Sequence, residues 1–451
     1  MGQRIEELAR FAAQTRWEDI PGPVQQHAKL VFLDTLGVIL AGSERPEVRQ
    51  LRERLLPAAG TGATVLARGW LAAEPRTAAL VNGIAGRAIE LCEGLRLTTG
   101  QPAIQILPGL LAVAESASGS GREMMTAFVL GYDLAGRLCS AFTPRPLAHQ
   151  NGQASLLGAA AAGARMRGQD AAGVSLAMRI AATLVLTPSY TGTVAGATAL
   201  NVAGGMSGFA CVLAPELALS GFEAREDAIE ESLAHLVGDG FRPDGLLDEL
   251  GTRWEITRNY FRLYACCNPI HPALDCLREA LDALRPRPGD IERIDVATYR
   301  FASVMRNPDP PNYFASKYSL PHAAAVMVVK GGAGYGALDD AALRDPAVAA
   351  LRHRVHVTED PAMSAVAPRL RPARVTVALK DGRRSTHACE SHRGDFQQPF
   401  AESEIREKFR ELAGVVLTPE GVARIEALAD RCEQWQSVSE LTGQLHRYGR
   451  S

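Results

Sequence analysis

Two runs of small residues limit what this chain can become: Gly158-Ala159-Ala160-Ala161-Ala162-Gly163-Ala164 and Gly204-Gly205-Met206-Ser207-Gly208. Both lie in stretches of helical character, and a helix with so little side chain on one face lets a neighbouring backbone come close. Ala- and Leu-rich segments of the same kind recur at 76–91, 107–118, 122–141, 154–167, 171–184 and 203–219, separated by Gly, Pro or Ser clusters. The first half of the chain is therefore expected to be a bundle of closely packed helices. No segment runs for ~18 apolar residues without a charge or a turn signal, so a soluble bundle is expected and not a membrane span.

The pattern changes after Cys267. Residues 291–299 and 373–379 alternate apolar with polar and carry β-branched side chains, and Lys380-Asp381-Gly382 closes the second run as a turn. Helices are expected around them at 273–284, 322–329 and 346–353, and from Glu402 onward charged amphipathic helices return. The fold expected is mainly α: a discontinuous all-α domain from residues 1–258 and 401–451, with a smaller α+β lid domain, residues 259–400, inserted in it. Such an insertion creates a cleft between two bodies.

Composition excludes several functions. Across 451 residues, 48 Lys and Arg face 50 Asp and Glu, which leaves no basic field to hold nucleic acid or a membrane surface. The start, Met1 to Glu7, runs straight into a helical pattern, so no export signal is read and a cytoplasmic location is expected. The eight cysteines are scattered through apolar runs as reduced, buried thiols would be. Cys266-Cys267 lacks the spacing of a zinc knuckle or redox pair. With no Gly-x-Gly-x-x-Gly after a strand, no Walker loop, no His-Glu-x-x-His and no Gly-x-Ser-x-Gly, neither a cofactor, a metal nor a serine nucleophile is expected.

Several segments carry a family resemblance. Asp19 to Gly42 opens at Pro21-Gly22-Pro23 and continues as a helix expected to bury Val24, Ala28, Val31, Phe32, Thr35 and Leu36 on one face. Its "I-P-x-x-V" and "L-D-x-L-G-x-x-L-A-G" resemble the opening of the MmgE/PrpD family, which includes 2-methylcitrate dehydratase, cis-aconitate decarboxylase and iminodisuccinate epimerase. Asn82 to Glu93, Gly100-Gln101-Pro102, Gly131-Tyr132-Asp133 with Arg137, Phe261 to Cys267 with His271-Pro272 and Asp275, and Ala315 to Ser319 follow the family's order of motifs. The resemblance implies a homodimer and a cofactor-free reaction beside a carboxylate of a small di- or tricarboxylate. In relatives a cluster of His, Asp, Lys and Tyr side chains does this work. Here Arg87 and Gln101 stand where the family has histidines, Arg262 stands for a lysine, and Thr191 to Ser207 holds no basic residue, Leu200 falling where relatives carry a lysine.

The candidates each have two readings. His149, in a loop before a Gly/Ala helix, either donates to an anion or shuttles a proton, or is simply exposed. Glu90 and Glu93, three apart, either share a helical face and raise one pKa to make a base, or form a solvated face paired to Arg87 or Arg96. Arg262 either grips a carboxylate through its planar fork or makes an interdomain ion pair. Tyr318 either donates a proton or only a structural hydrogen bond, while the Gln101 amide does not titrate and can only orient. Expected catalytic residues are thus His149, Tyr318 and Glu90, with Arg262, Gln101 and Arg87 binding substrate. The leading expectation is a lyase similar to 2-methylcitrate dehydratase. An isomerase or epimerase and a non-catalytic relative remain open.

Overall fold

A computed structural model describes residues 2–56, 61–69, 72–98 and 100–450, and it is mainly helical with small sheets. The small-residue runs lie where backbones touch. A Cβ on Gly83 would meet the Gly204 carbonyl oxygen at 2.4 Å, and one on Gly204 would lie 2.5 Å from the Gly83 oxygen. Only glycine permits this approach, and it sets helix Pro75–Arg87 directly against helix Val202–Leu219. Gly131 and Gly158 do the same for Gly121–Ala141 and Ala154–Met166.

Helix Gly22–Gly42 is buried on all sides from Val31 onward, not along one face as expected. It lies between Pro75–Arg87 and the late helix Glu402–Ala413, so both faces are covered. Lys408 of that late helix reaches Asp34 at 2.6 Å and donates to the Leu91 carbonyl oxygen at 2.8 Å. Phe409 and Leu412 pack over Gly37. The late helix Glu402–Ala413 thereby packs on the second helix of the chain. Thr198–Leu219 is the one segment among the described residues long and apolar enough to cross a membrane, and its N-terminal half packs into the bundle.

One four-stranded sheet forms after residue 290, in the order Arg384–Cys389, Ala373–Leu379, Ile291–Thr298, Val355–Glu359. The last pair is parallel and the others antiparallel. Ile294 and Val296 stand opposite Val377 and Val375, and all four are buried. Helix His271–Leu284 covers the hairpin of Ala373–Leu379 and Arg384–Cys389. Two strands were not anticipated: Val355–Glu359 is short, and Arg384–Cys389 is polar because it forms an open edge.

The helix expected over 76–91 stops at Arg87. Glu90 has φ +53°, a left-handed backbone that ends helical propagation. Glu90 and Glu93 consequently do not share a helical face. They sit in a buried turn whose next residues, Gly94–Leu95, pair with Asn259–Tyr260.

Candidate active site

The turn after Arg87 and the pairing of Gly94–Leu95 with Asn259–Tyr260 bring distant parts of the chain around one cavity of about 210 Å³. Arg87, Glu90, Gln101, His149, Arg262 and Tyr318 all line it. All six are buried.

Glu90 is the hub. Arg87 Nη2 donates to its Oε1, Arg262 Nη1 donates to its Oε2 at 2.7 Å, and Tyr318 Oη donates to Oε1 at 2.9 Å. Arg262 Nη1 also reaches the Glu90 carbonyl oxygen at 3.1 Å, which helps hold the left-handed turn. Burial pushes the Glu90 carboxyl up, but Arg87 and Arg262 outweigh it and hold the pKa at about 2. Glu90 is therefore a locked anion, the reverse of the raised pKa expected of a base. The group that burial does raise, to about 7, is Glu93. It turns away from the cavity and accepts from Tyr132 Oη at 2.5 Å and the Ala103 N–H at 3.0 Å.

The Arg262 fork is also not free, as a bidentate grip on substrate would need. Nη1 is engaged by Glu90, and Nη2 donates to Tyr260 Oη at 3.3 Å. Nε is the one nitrogen of this guanidinium with no hydrogen-bond partner among the described residues, and Arg87 Nε and Tyr190 Oη share that condition. A third buried guanidinium, that of Arg371, which sequence reasoning missed, lines the same cavity. It donates to Asn268 Oδ1 and, at 2.9 Å, to the Arg96 carbonyl oxygen. Among the described residues no carboxylate lies within 4.0 Å of it. Its segment, Arg369-Leu370-Arg371-Pro372, matches no motif, so the sequence held no signal for it.

His149 is buried and stacked on Tyr190, ring centroids 5.6 Å apart, so the exposed-loop reading is wrong. Its Nδ1 faces the Asn151 backbone N–H at 3.2 Å. Because Nδ1 must accept that bond, the ring proton is assigned to Nε2. Burial, reinforced by Arg87, lowers its pKa to about 3. The imidazole is neutral, can donate through Nε2, and has no lone pair free to act as a base. Gln101 Oε1 accepts from Asn151 Nδ2 at 2.9 Å, which leaves the amide N–H groups to orient a ligand.

Three buried guanidiniums, those of Arg87, Arg262 and Arg371, thus face one carboxylate, that of Glu90. Two positive charges stay unneutralised among buried side chains, a match for a dianion. Among the described residues no group of three or more His, Cys, Asp or Glu could hold a metal ion. Burial pushes the thiol of Cys267 and the hydroxyls of Tyr190, Tyr260 and Tyr318 up, so the remaining titratable groups around the cavity keep their protons. The arrangement can bind anions, donate hydrogen bonds and deliver a proton. Among the described residues around it, neither Glu90, paired with two arginines, nor His149, whose Nδ1 accepts the Asn151 N–H, is set up to take one.

Residues 6–237 match the MmgE/PrpD N-terminal domain and residues 264–434 the MmgE/PrpD C-terminal domain. The cis-aconitate decarboxylase-like protein oryM of Aspergillus oryzae is 26% identical over 98% of this chain and 96% of its own. Cis-aconitate decarboxylase of Aspergillus terreus is 23% identical, over 96% of this chain and 94% of its own. The enzyme of that name from Homo sapiens is 23% identical, over 93% and 89%.

Proposed function

Since the chain belongs to the MmgE/PrpD family, we propose that it is a cofactor-independent lyase that removes CO₂ from a small unsaturated polycarboxylate. The observation that carries this reading is the charge balance of the buried part of the cavity: three buried guanidiniums, one locked carboxylate, and proton donors without a base. The relatives named as cis-aconitate decarboxylases support it.

Dehydration or epimerisation beside a carboxylate begins with removal of a proton, which calls for a base with a pKa near the working pH. Glu90 at about 2 and His149 with its lone pair engaged are poor candidates. Decarboxylation needs no base. The carbon–carboxylate bond breaks, CO₂ departs, and the electron pair spreads into the adjacent carbon–carbon double bond and its carboxylate. A proton then closes the new carbanion. Arg371, the free Nε of Arg262 and that of Arg87 hold the two carboxylates that remain, where fixed cations also stabilise the spread charge. Tyr318 delivers the proton, and the guanidiniums of Arg87 and Arg262 offset the phenolate left behind until water restores it. His149 Nε2 and the Gln101 amide fix the orientation of the acid.

The test is incubation of purified protein with unsaturated and hydroxylated tri- and dicarboxylates in deuterated buffer, followed by NMR. Release of CO₂ with one deuterium on the product carbon is expected. Exchange of an α-proton without CO₂ release, or loss of water alone, would replace this reading with an epimerase or a dehydratase.

A further inference from the structure

Beside the polar cavity lies a second, of about 470 Å³, that the proposed reaction does not use. The two share Pro146, Tyr190, Phe301 and Arg371. Past that common wall the second cavity is lined by Tyr299, Val304, Ala367 and Pro368, with Ser364 and the exposed Arg300 also on its wall, so its character changes from charged to mostly apolar. Phe301 and Val304 are 46% and 55% exposed, large apolar side chains open to water next to a buried arginine. The rings of His149, Tyr190 and Phe301 lead from one cavity to the other, with centroid spacings of 5.6 and 5.0 Å.

We infer that the acid this protein takes carries an aliphatic chain, its carboxylates in the polar cavity and its tail along Tyr190 and Phe301 against Val304, Ala367 and Pro368. The inference rests on the reading of the polar cavity as a dicarboxylate site. At about 210 Å³ that cavity is smaller than the ~300–1,000 Å³ of sites that enclose larger ligands, so it accommodates the head alone. Arg371 stands at the junction, where it can pair with the carboxylate nearest the branch point. An alkyl substituent leaving that point finds the apolar cavity directly beyond the Tyr190 and Phe301 rings. Burying it there would remove Phe301 and Val304 from water at the same time.

The experiment is calorimetric titration of the full chain with succinate and 2-alkylsuccinates from methyl to hexyl. Kd is expected to fall about two- to fourfold per added methylene, the lower end reflecting a tail that stays partly exposed. Val304→Asp, at a half-exposed position that tolerates the change, should flatten the dependence on chain length. If succinate binds but chain length has no effect, the tail inference is overturned while the dicarboxylate reading stands. If no member of the series binds, that reading falls and the inference with it. A chain-length dependence that Val304→Asp leaves intact places the tail elsewhere. Conversion of a dimer to a monomer by the same variant, with the slope unchanged, makes this face a contact between two copies of the chain and also overturns the inference.

Discussion

Tyr318 donates its hydroxyl hydrogen to Glu90 Oε1 across 2.9 Å, joining residues 228 positions apart in the chain. The bond places a proton donor against a carboxylate that two arginines already hold ionised. Glu90 therefore positions the phenol and the guanidiniums, and the phenol hydrogen must leave Glu90 Oε1 before it can reach a ligand.

Tyr318→Phe is expected to lower kcat/KM by ~10²–10⁴, the usual contribution of a positioned acid. Its effect on stability should be small, about 1 kcal/mol for one lost hydrogen bond, because Arg87 and Arg262 still satisfy Glu90. Kinetics and urea unfolding on the same preparation check both. Unchanged activity would shift the proton donor to His149.

Glu90→Gln should behave differently. It leaves two buried guanidiniums without their counter-ion, and breaking a buried ion pair costs about 3–5 kcal/mol. A base at this position would instead be removed with activity lost and stability kept. Urea unfolding of the variant against wild type distinguishes the two.

The two arginines should separate in the same way. Arg262, which also pairs with Glu90, should lose stability together with activity on replacement by Ala. Arg371→Ala should lose about 2–4 kcal/mol in kcat/KM, with KM rising. Arg371→Lys should restore part of that, since the charge returns without the fork. Equal losses of activity at both sites, with stability kept, would contradict the assignment.

Much of this was legible before any coordinates. The 3.6-residue pattern located the helices, and the glycines announced close packing, because both signals are local. The six candidate residues converge on one cavity because the motif order carried their placement. Their chemistry was less legible. Whether Glu90 is a base or a locked anion depends on Arg262, 172 positions away, and on a left-handed turn that no periodicity marks. The state of His149 depends on the Asn151 N–H and on burial, and Arg371 belongs to no motif. Val355–Glu359 was missed because five residues of V-H-V-T-E become a strand only when Ile291–Thr298 lies alongside.

Acid should destabilise the fold in two steps. His149 is held at about 3 against an ordinary 6.5, so its contribution is full above pH 6.5 and lost as pH falls toward 3. Glu90, at about 2 against 4.5, keeps its contribution above pH 4.5 and loses it toward 2. Glu93, raised to about 7, runs the other way, stabilising at low pH and losing that contribution as pH rises through 7. Comparing a variant with wild type cancels that term. His149→Gln should therefore show a shallower fall in unfolding free energy between pH 6.5 and 4.5, as measured by urea titration across that range. An unchanged slope would mean that His149 is not buried neutral.

Two uncompensated positive charges should make the cavity a site for a dianion. Calorimetric comparison of a dicarboxylate with its monomethyl ester at fixed ionic strength tests it most directly. The dianion is expected to bind on the order of a hundredfold more tightly, the effect of one desolvated, charge-assisted contact, and Arg371→Ala should erase most of that difference. Equal affinity for diacid and monoester would mean that the cavity does not hold a second uncompensated charge.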